Sequence, residues 1–330
     1  MGHVLLLGAG FSRNWNGWLA AEAMEYLLGS PEISGNEFLR RLLLQHEPAG
    51  GFEGALEQLQ LLAHQDPRTH SENLALLQTA IGRMFDDMNA GYFDRQEFGF
   101  QNHEPQVRTF LTRFDVIFTL NQDVLLEHFY KDQFNVSLSN GRRWDGIQIP
   151  GMRRIRPSDP MHDASWARAT WATLPNVDYR LEPRCQPLIK IHGSSNWRNA
   201  EGGALMVIGG EKASQIRVHE VLARNAGEFE SRLMAGDTRL MVIGYGFRDS
   251  HITNVIIRGV RERGLRFFIV DPDGAGLARK LNPTSERPLY VPRELDGAFQ
   301  FGLIGASSRP LSSTFGGDTA EYRKLERFLS

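Results

Sequence analysis

The sequence is almost without cysteine, since Cys185 is the only one among its 330 residues. A single cysteine excludes a disulfide within the chain and every structural zinc site that is built from cysteines. Pro183 and Pro187 flank it, so we predict that Cys185 lies in a connecting loop and is not a catalytic thiol.

Long apolar runs and a strong net charge are also missing. No stretch approaches the length of a membrane-spanning helix, and Gly8 and Gly10 interrupt the apolar residues near the start. We therefore expect neither a membrane span nor a signal peptide, and we expect a cytoplasmic protein. The formal net charge of −2 gives no general attraction to nucleic acid or to anionic membranes, and we expect no direct nucleic-acid binding.

Several metal and phosphate motifs are absent as well. The sequence contains no Walker phosphate-binding loop, no His-Glu-x-x-His motif and no pair of cysteines. His219 and Glu220 lie in a predicted helix that has no second histidine one turn away. We accordingly expect no metal site.

What the sequence does contain is a series of short apolar segments, each followed by small or polar residues. Such segments predict buried parallel strands, and their alternation with helical patterns predicts the α/β class. We expect a Rossmann-like, mostly parallel sheet in a single domain that comprises residues 1–330. The predicted strands are 3–8, 115–120, 187–191, 204–208, 238–243 and 266–270, and the later helices are 216–234, 250–263, 274–281 and about 319–329.

Two long segments interrupt this alternation. Residues from about 14 to 105 have helical spacing and are too many for a simple crossover, so they predict a helical insertion after the first strand. Residues from about 136 to 186 are rich in Asn, Gly, Pro, Arg and Trp without a clear period, which predicts an irregular insertion. We expect these insertions to serve contacts between subunits and gating of a site.

The residues at the ends of the predicted strands indicate one shared site. Ligands of open α/β sheets bind outside the carboxyl ends of the strands, so side chains and glycines at these ends are expected to converge. Glycines, an amide, carboxylates and an imidazole at such positions predict a nucleotide site. The segments are Gly8-Ala9-Gly10-Phe11-Ser12, Thr119-Leu120-Asn121-Gln122-Asp123, His192-Gly193-Ser194 and Gly244-Tyr245-Gly246-Phe247.

The glycines of residues 8–12 have two interpretations. They allow a backbone to approach a phosphate, and they also suit a tight strand-to-helix turn. The dinucleotide fingerprint Gly-x-Gly-x-x-Gly is incomplete because Arg13 stands at its last position. The acidic residue expected about 20 residues further on is missing too, so hydride-transfer chemistry is disfavoured.

Asn121, Asp123 and His192 are the polar residues that carry the most chemistry. Asn121 and Asp123 are spaced to face one pocket, although Asp123 equally suits an N-cap of the helix that follows. His192 ends a strand of the same predicted sheet, where a neutral imidazole can accept a proton from a hydroxyl or from water. A purely structural histidine is the alternative.

Two later strand ends also carry acidic residues. Asp249 is predicted to cap the helix 250–263, and His251 is interpreted as a residue of its first turn rather than as a metal ligand. Asp271 either binds an adenosine ribose or serves as a turn residue before Pro272.

Taken in order, the four motifs resemble the signature of the sirtuin family. The spelling of residues 190–197 (Lys-Ile-His-Gly-Ser-Ser-Asn-Trp) and of residues 244–249 (Gly-Tyr-Gly-Phe-Arg-Asp) is similar to that of bacterial sirtuin-like proteins of antiphage defence. Two departures separate the chain from protein deacylases: it lacks the four zinc cysteines, and Leu120 replaces the glutamine that precedes the family asparagine. The resemblance covers the predicted Rossmann-like core and neither insertion.

The resemblance implies a site that cleaves the nicotinamide–ribose bond of NAD, without zinc. It implies that Asn121 orients the ribose and the attacking water and that His192 is the general base. It further implies that Asp123 holds the carboxamide, that residues 8–12 (Gly8, Ala9, Gly10, Phe11 and Ser12) cradle the diphosphate, and that the adenosine side is bound by Gly244, Tyr245, Gly246 and Asp271.

The expected function is a regulated NAD hydrolase that depletes NAD in antiphage defence, as in abortive infection. The alternatives are a NAD-dependent deacylase or ADP-ribosyltransferase, and a non-catalytic nucleotide-binding assembly subunit. Because an unrestrained NAD hydrolase is toxic, the resemblance also implies control by homo-oligomerisation or by a HerA-type hexameric ATPase partner.

Overall fold

The computed structural model describes residues 2–47, 51–94, 105–132, 134, 143–155, 165–173, 179–281 and 294–330. Its strands are β1 (Gly2–Leu7), β2 (Val116–Thr119), β3 (Gly146–Gln148), β4 (Arg153–Ile155), β5 (Thr170–Ala172), β6 (Cys185–Lys190), β7 (Gly193–Arg198), β8 (Ala204–Met206), β9 (Thr238–Ile243), β10 (Arg266–Val270) and β11 (Leu303–Ser307).

The helices surround these strands. They are α1 (Ala9–Ser12), α2 (Ala20–Gly29), α3 (Pro31–Ser34), α4 (Glu37–His46), α5 (Gly51–Gln65), α6 (Pro67–Phe93), α7 (Pro105–Leu111), α8 (Lys212–Val218), α9 (Glu220–Leu233), α10 (Ser250–Arg263), α11 (Leu277–Leu281), α12 (Glu294–Gly302), α13 (Leu311–Phe315) and α14 (Thr319–Phe328). Short 3₁₀ turns occupy Arg13–Trp15 and Gly274–Gly276, and Glu127–Lys131 form a π-helical turn.

A seven-stranded sheet in the order β11-β10-β9-β1-β2-β6-β3 forms the centre, and every pair in it is parallel. This confirms the predicted α/β class with a mostly parallel, Rossmann-like sheet. The chain passes from β1 to β2 on one side and later returns to place β9 on the other side. The gap between β1 and β9 is therefore the topological switch point, where open α/β sheets bind ligands.

The central strand β1 shows why the sheet is buried on both faces. Leu5 and Leu7 pack into one hydrophobic core, while Val4 and Leu6 pack into the other. All four side chains are at most 1% exposed. A continuous apolar run, rather than an alternating one, is what a parallel strand covered on both faces requires.

The described residues between β1 and β2 are mainly helical, as predicted. Helices α2 to α6 pack against one another, and their buried residues belong to the core that also contains Leu5 and Leu7. Helix α6 covers 27 residues from Pro67 to Phe93, with Asp66 as its N-cap.

The second predicted insertion contains more regular structure than its composition indicated. Strands β3, β4 and β5 lie within it, and β4 and β5 join β7 and β8 in a four-stranded sheet of order β4-β5-β7-β8. Cys185 is the first residue of β6, so the expectation of a connecting loop there was wrong. Three-residue strands are too short for a period to show in sequence. None of the described helices combines the length and apolar character needed to cross a bilayer.

Candidate functional site

The turn after β1 and the turn after β9 are in direct backbone contact at the switch point. Gly8 N donates to Ile243 O at 3.0 Å, and Gly10 N donates to Gly244 O at 2.9 Å. A Cβ on Gly8 would lie 2.5 Å from Gly244 O, and one on Gly244 would lie 2.3 Å from Phe11 N. Gly244 also has a φ of 65°, which favours glycine. These glycines are required for the two turns to touch.

This contact limits what the turn of residues 8–12 offers to a phosphate. The amides of Gly8, Gly10 and Phe11 all donate to backbone carbonyls. Phe11 N donates to Gly8 O at 2.9 Å. The tight-turn interpretation of the glycines therefore holds. The diphosphate cradle of these residues stays a prediction, and it would depend on Ala9 and on the hydroxyl of Ser12.

Asn121 is buried beside this turn and is oriented by two hydrogen bonds. Its Nδ2 donates to Gly8 O at 3.0 Å and to Ser12 Oγ at 2.9 Å. A carbonyl oxygen only accepts, so the nitrogen and not the oxygen of the amide must face Gly8. The carbonyl end of Asn121 is thereby directed away from the turn.

The segment that carries Asn121 is hydrogen-bonded along its length to the residues after β6, which continue into β7. Thr119 O accepts from Ile191 N at 3.0 Å, and Gln122 O accepts from Ser195 N at 2.9 Å and from Ser194 Oγ at 3.1 Å. The second and third motifs of the sequence therefore form one layer at the carboxyl edge of the sheet.

His192 lies in that layer and is 2% exposed. Its ring makes a hydrogen bond to the backbone of Leu120, next to Asn121, and its Nε2 lies 3.0 Å from Nε2 of His251. Burial, followed by the nearby Lys212 ammonium, lowers the pKa of His192 to about 3. The imidazole is thus neutral at physiological pH, and its Nε2 is directed toward His251.

His251 was expected in the first turn of α10, and it lies there. The sequence did not predict that its ring reaches His192. Burial lowers the pKa of His251 as well. Asp249 is the N-cap residue, but its side chain does not cap the helix, so that expectation was wrong. Its Oδ1 instead accepts from Lys212 Nζ at 2.8 Å.

Lys212 connects this cluster to the helical segment after β1. Its Nζ lies 2.7 Å from Glu53 Oε2 on α5, in addition to the contact with Asp249. Burial alone would lower the pKa of Lys212, but the two carboxylates outweigh it and the pKa is raised. Burial of the Asp249 carboxyl would raise its pKa, but the Lys212 ammonium and the neighbouring histidines outweigh this effect, and the pKa of Asp249 is lowered.

The remaining predicted residues are engaged in local structure. Asp123 Oδ1 accepts from Leu125 N at 3.0 Å, which is the helix-start role that competed with ligand binding. Asp271 Oδ1 accepts from Asp273 N at 2.9 Å, which is the turn role. The buried Tyr245 hydroxyl donates to Asp249 O at 3.0 Å and lies 3.0 Å from Thr253 Oγ1 on α10. Gly246 follows with no atom within 4 Å of a Cβ placed on it.

Two further polar side chains support the loops and were missed by sequence reasoning. Asn89 on α6 donates to Ser195 Oγ at 2.9 Å and accepts from Val124 N at 3.1 Å. Lys190 pairs with Glu127 at 2.8 Å, and both are 1% exposed. A lysine at the end of an apolar strand was the available signal for a buried ion pair.

The structure thus brings together Gly8, Ser12, Asn121, His192 and Gly244 at adjoining strand ends, with Asp123 and Asp271 held in turns of the same edge. Comparison with models of protein families found no match, and comparison with curated proteins found none either.

Proposed function

We propose that this chain is a NAD hydrolase, which cleaves NAD to nicotinamide and ADP-ribose. The observation that carries the proposal is the position of Asn121 and a neutral, buried His192 on two interlocked loops beside the β1–β9 switch point. That is the edge at which a nucleotide binds in a sheet of this topology. The order and spelling of the motifs, which resemble the sirtuin family, supply the substrate class.

The reaction breaks the bond between ribose C1′ and the nicotinamide nitrogen. The electron pair of that bond leaves with nicotinamide, which departs as a neutral ring and needs no proton. Positive charge develops on the ribose, as in glycoside hydrolysis. The oxygen of water then bonds to C1′, and the proton of that water passes to a base.

Asn121 and His192 have side chains suited to two of these events, the positioning of the attacking water and the removal of its proton. The amide of Asn121 is fixed by Gly8 and Ser12, so its carbonyl oxygen is oriented to accept from a ribose hydroxyl or a water. His192 is neutral and its Nε2 faces His251; in the tautomer with the proton on Nδ1, Nε2 accepts the proton once His251 gives way to the substrate.

We propose antiphage defence as the biological setting of this activity. A NAD hydrolase of antiphage defence needs a trigger, and a homo-oligomer or a HerA-type ATPase is the proposed means of control. The resemblance supports this setting.

The test is incubation of the purified protein with NAD, alone and with a HerA-type ATPase, followed by chromatography for nicotinamide and ADP-ribose. Both products are expected, and Asn121→Ala and His192→Ala should each abolish them. Asn254→Ala and His64→Ala are matched controls, because both residues are exposed. Absence of products in every mixture, together with no NAD binding by calorimetry, would refute the proposal.

A further inference from the structure

We propose that His192, Asp249 and His251 form a binding site for a divalent transition-metal cation such as Zn²⁺, which inhibits the site when it is bound. The metal-binding part stands on geometry alone, whereas the inhibitory part rests on the proposed hydrolase function. This proposal departs from the sequence analysis, which predicted no metal site.

The three side chains are already grouped for coordination. One potential ligand atom from each lies within 4.8 Å of the other two, and the two Nε2 atoms are 3.0 Å apart. In a tetrahedral zinc site with Zn–N distances of about 2.0–2.1 Å, neighbouring ligand atoms are roughly 3.3 Å apart. Small side-chain rotations therefore suffice to place a cation among them. Two imidazoles and a carboxylate are a common zinc ligand set, with the fourth position open to water.

The surroundings of His192 suit a metal ligand. An imidazole that binds a metal through one nitrogen usually donates its other N–H to a carbonyl or carboxylate, which fixes the ring. The Leu120 backbone supplies this partner, and Nε2 is the nitrogen that faces the cluster. His251 and Asp249 sit at the start of α10, two residues apart, and so approach from one rigid element.

The charges around the cluster are compatible with a cation. Asp249 is paired with Lys212, which at first sight competes for the carboxylate. Lys212 has a second partner in Glu53 at 2.7 Å, so it keeps a counter-ion when Asp249 turns to the metal. The two carboxylates outweigh the one ammonium, and the histidines are neutral. The local charge therefore attracts a cation.

A bound cation would stop hydrolysis for a direct reason. It would occupy the Nε2 lone pair of His192, which is the pair of electrons that accepts a proton in the proposed reaction. His192 would then be bound to the metal and unable to act as a base. Removal of the metal with a chelator would restore the lone pair.

The experiment begins with the full chain stripped of metal by EDTA. Zn²⁺ is titrated in competition with a chromogenic chelator, and X-ray absorption reports the ligands. We expect one Zn²⁺ per chain with imidazole nitrogens in its shell. His251→Gln and Asp249→Asn should each weaken binding by roughly 10- to 100-fold or more, by analogy with the loss that follows disruption of a metal site. His64→Ala, which alters an exposed histidine, is the control and should bind as the wild type does.

Circular dichroism shows whether each variant is folded, and two chemically different variants guard against a folding artefact. Binding that persists in both folded variants, or no stoichiometric binding by the wild type, would overturn the metal site. A second readout separates the two proposals. Zinc binding without NAD hydrolysis in any mixture keeps the metal site and removes the hydrolase. NAD hydrolysis without zinc binding would support the hydrolase and overturn the metal site.

Discussion

The side-chain amide of Asn121 donates a 2.9 Å hydrogen bond to the hydroxyl of Ser12, and this bond joins the loop after β2 to the turn after β1. Both residues are buried. The bond fixes which way the Asn121 amide points, so Ser12 positions a residue of the site without itself carrying out a chemical step.

For the proposed NAD hydrolysis, we predict that Ser12→Ala lowers kcat by about tenfold with a smaller change in KM, because Asn121 loses one of its two orienting partners. The free energy of unfolding should fall by about 1 kcal/mol, which is typical of one hydrogen bond. Steady-state kinetics and urea denaturation measure the two effects. Ser71→Ala, at an exposed serine, is the control. An unchanged kcat in Ser12→Ala would contradict the positioning role.

Gly244→Ala should destabilise the protein strongly. The added Cβ would meet Phe11 N at 2.3 Å, and the φ of 65° adds strain for any residue with a side chain. We expect a loss of at least about 2 kcal/mol, measured as a shift of the urea midpoint. Gly246→Ala is a matched control two residues away, since nothing lies within 4 Å of a Cβ there. Equal losses in the two variants would show that the close contact between the turns does not matter.

The buried pair of Lys190 and Glu127 predicts a non-additive pair of mutations. Lys190→Met leaves the Glu127 carboxyl, whose pKa burial already raises, without its cation, and Glu127→Leu leaves a buried ammonium without its anion. Each single change should cost about 3–5 kcal/mol. The double variant Lys190→Met with Glu127→Leu should recover much of that loss. Denaturation of all four proteins tests this, and simple addition of the two single losses would contradict it.

Lys131 predicts a rise of stability with alkaline pH. Burial lowers its pKa from 10.5 to about 8, with Asp132 opposing. Between these two values the unfolded chain holds a proton that the folded chain has released. The contribution of this group to the free energy of unfolding therefore increases as pH rises from about 8 to 10.5.

The measurement is the free energy of unfolding across that range in wild type and in Lys131→Met. The variant should have a shallower rise, because the group with the shifted pKa is gone. Lys280→Met, at an exposed lysine, should keep the slope of the wild type. The same slope in all three proteins would mean that Lys131 titrates normally in the folded state.

The elements that could be predicted from sequence are those with a local cause. The uninterrupted apolar run of β1 predicts a strand covered on both faces, and the predicted helix 250–263 matches α10. Strand ends also predicted that the segments that carry Asn121 and His192 would lie side by side at the carboxyl edge of the sheet, and they do. The glycines at 8 and 244 were recognised, but only the structure shows that they touch each other.

What could not be predicted depends on contacts between residues far apart in the chain. Asp249 looked like a helix cap because its position before α10 suits one, and Lys212 competes for the carboxylate only after the chain has folded. His251 faces His192 because α10 begins beside the end of β6. Neither the Lys212–Asp249 contact nor the His251–His192 contact follows from a local sequence pattern.

The bond between Lys212 and Glu53 has one more consequence. Glu53 belongs to α5, so a helix from the segment before β2 contacts Lys212, the ammonium that helps to lower the pKa of His192. A movement of α5 away from Lys212 would break this ion pair and leave Asp249 as the remaining carboxylate partner of the lysine. The helical segment after β1 is thereby coupled to the ionisation of a buried histidine at the carboxyl edge of the sheet.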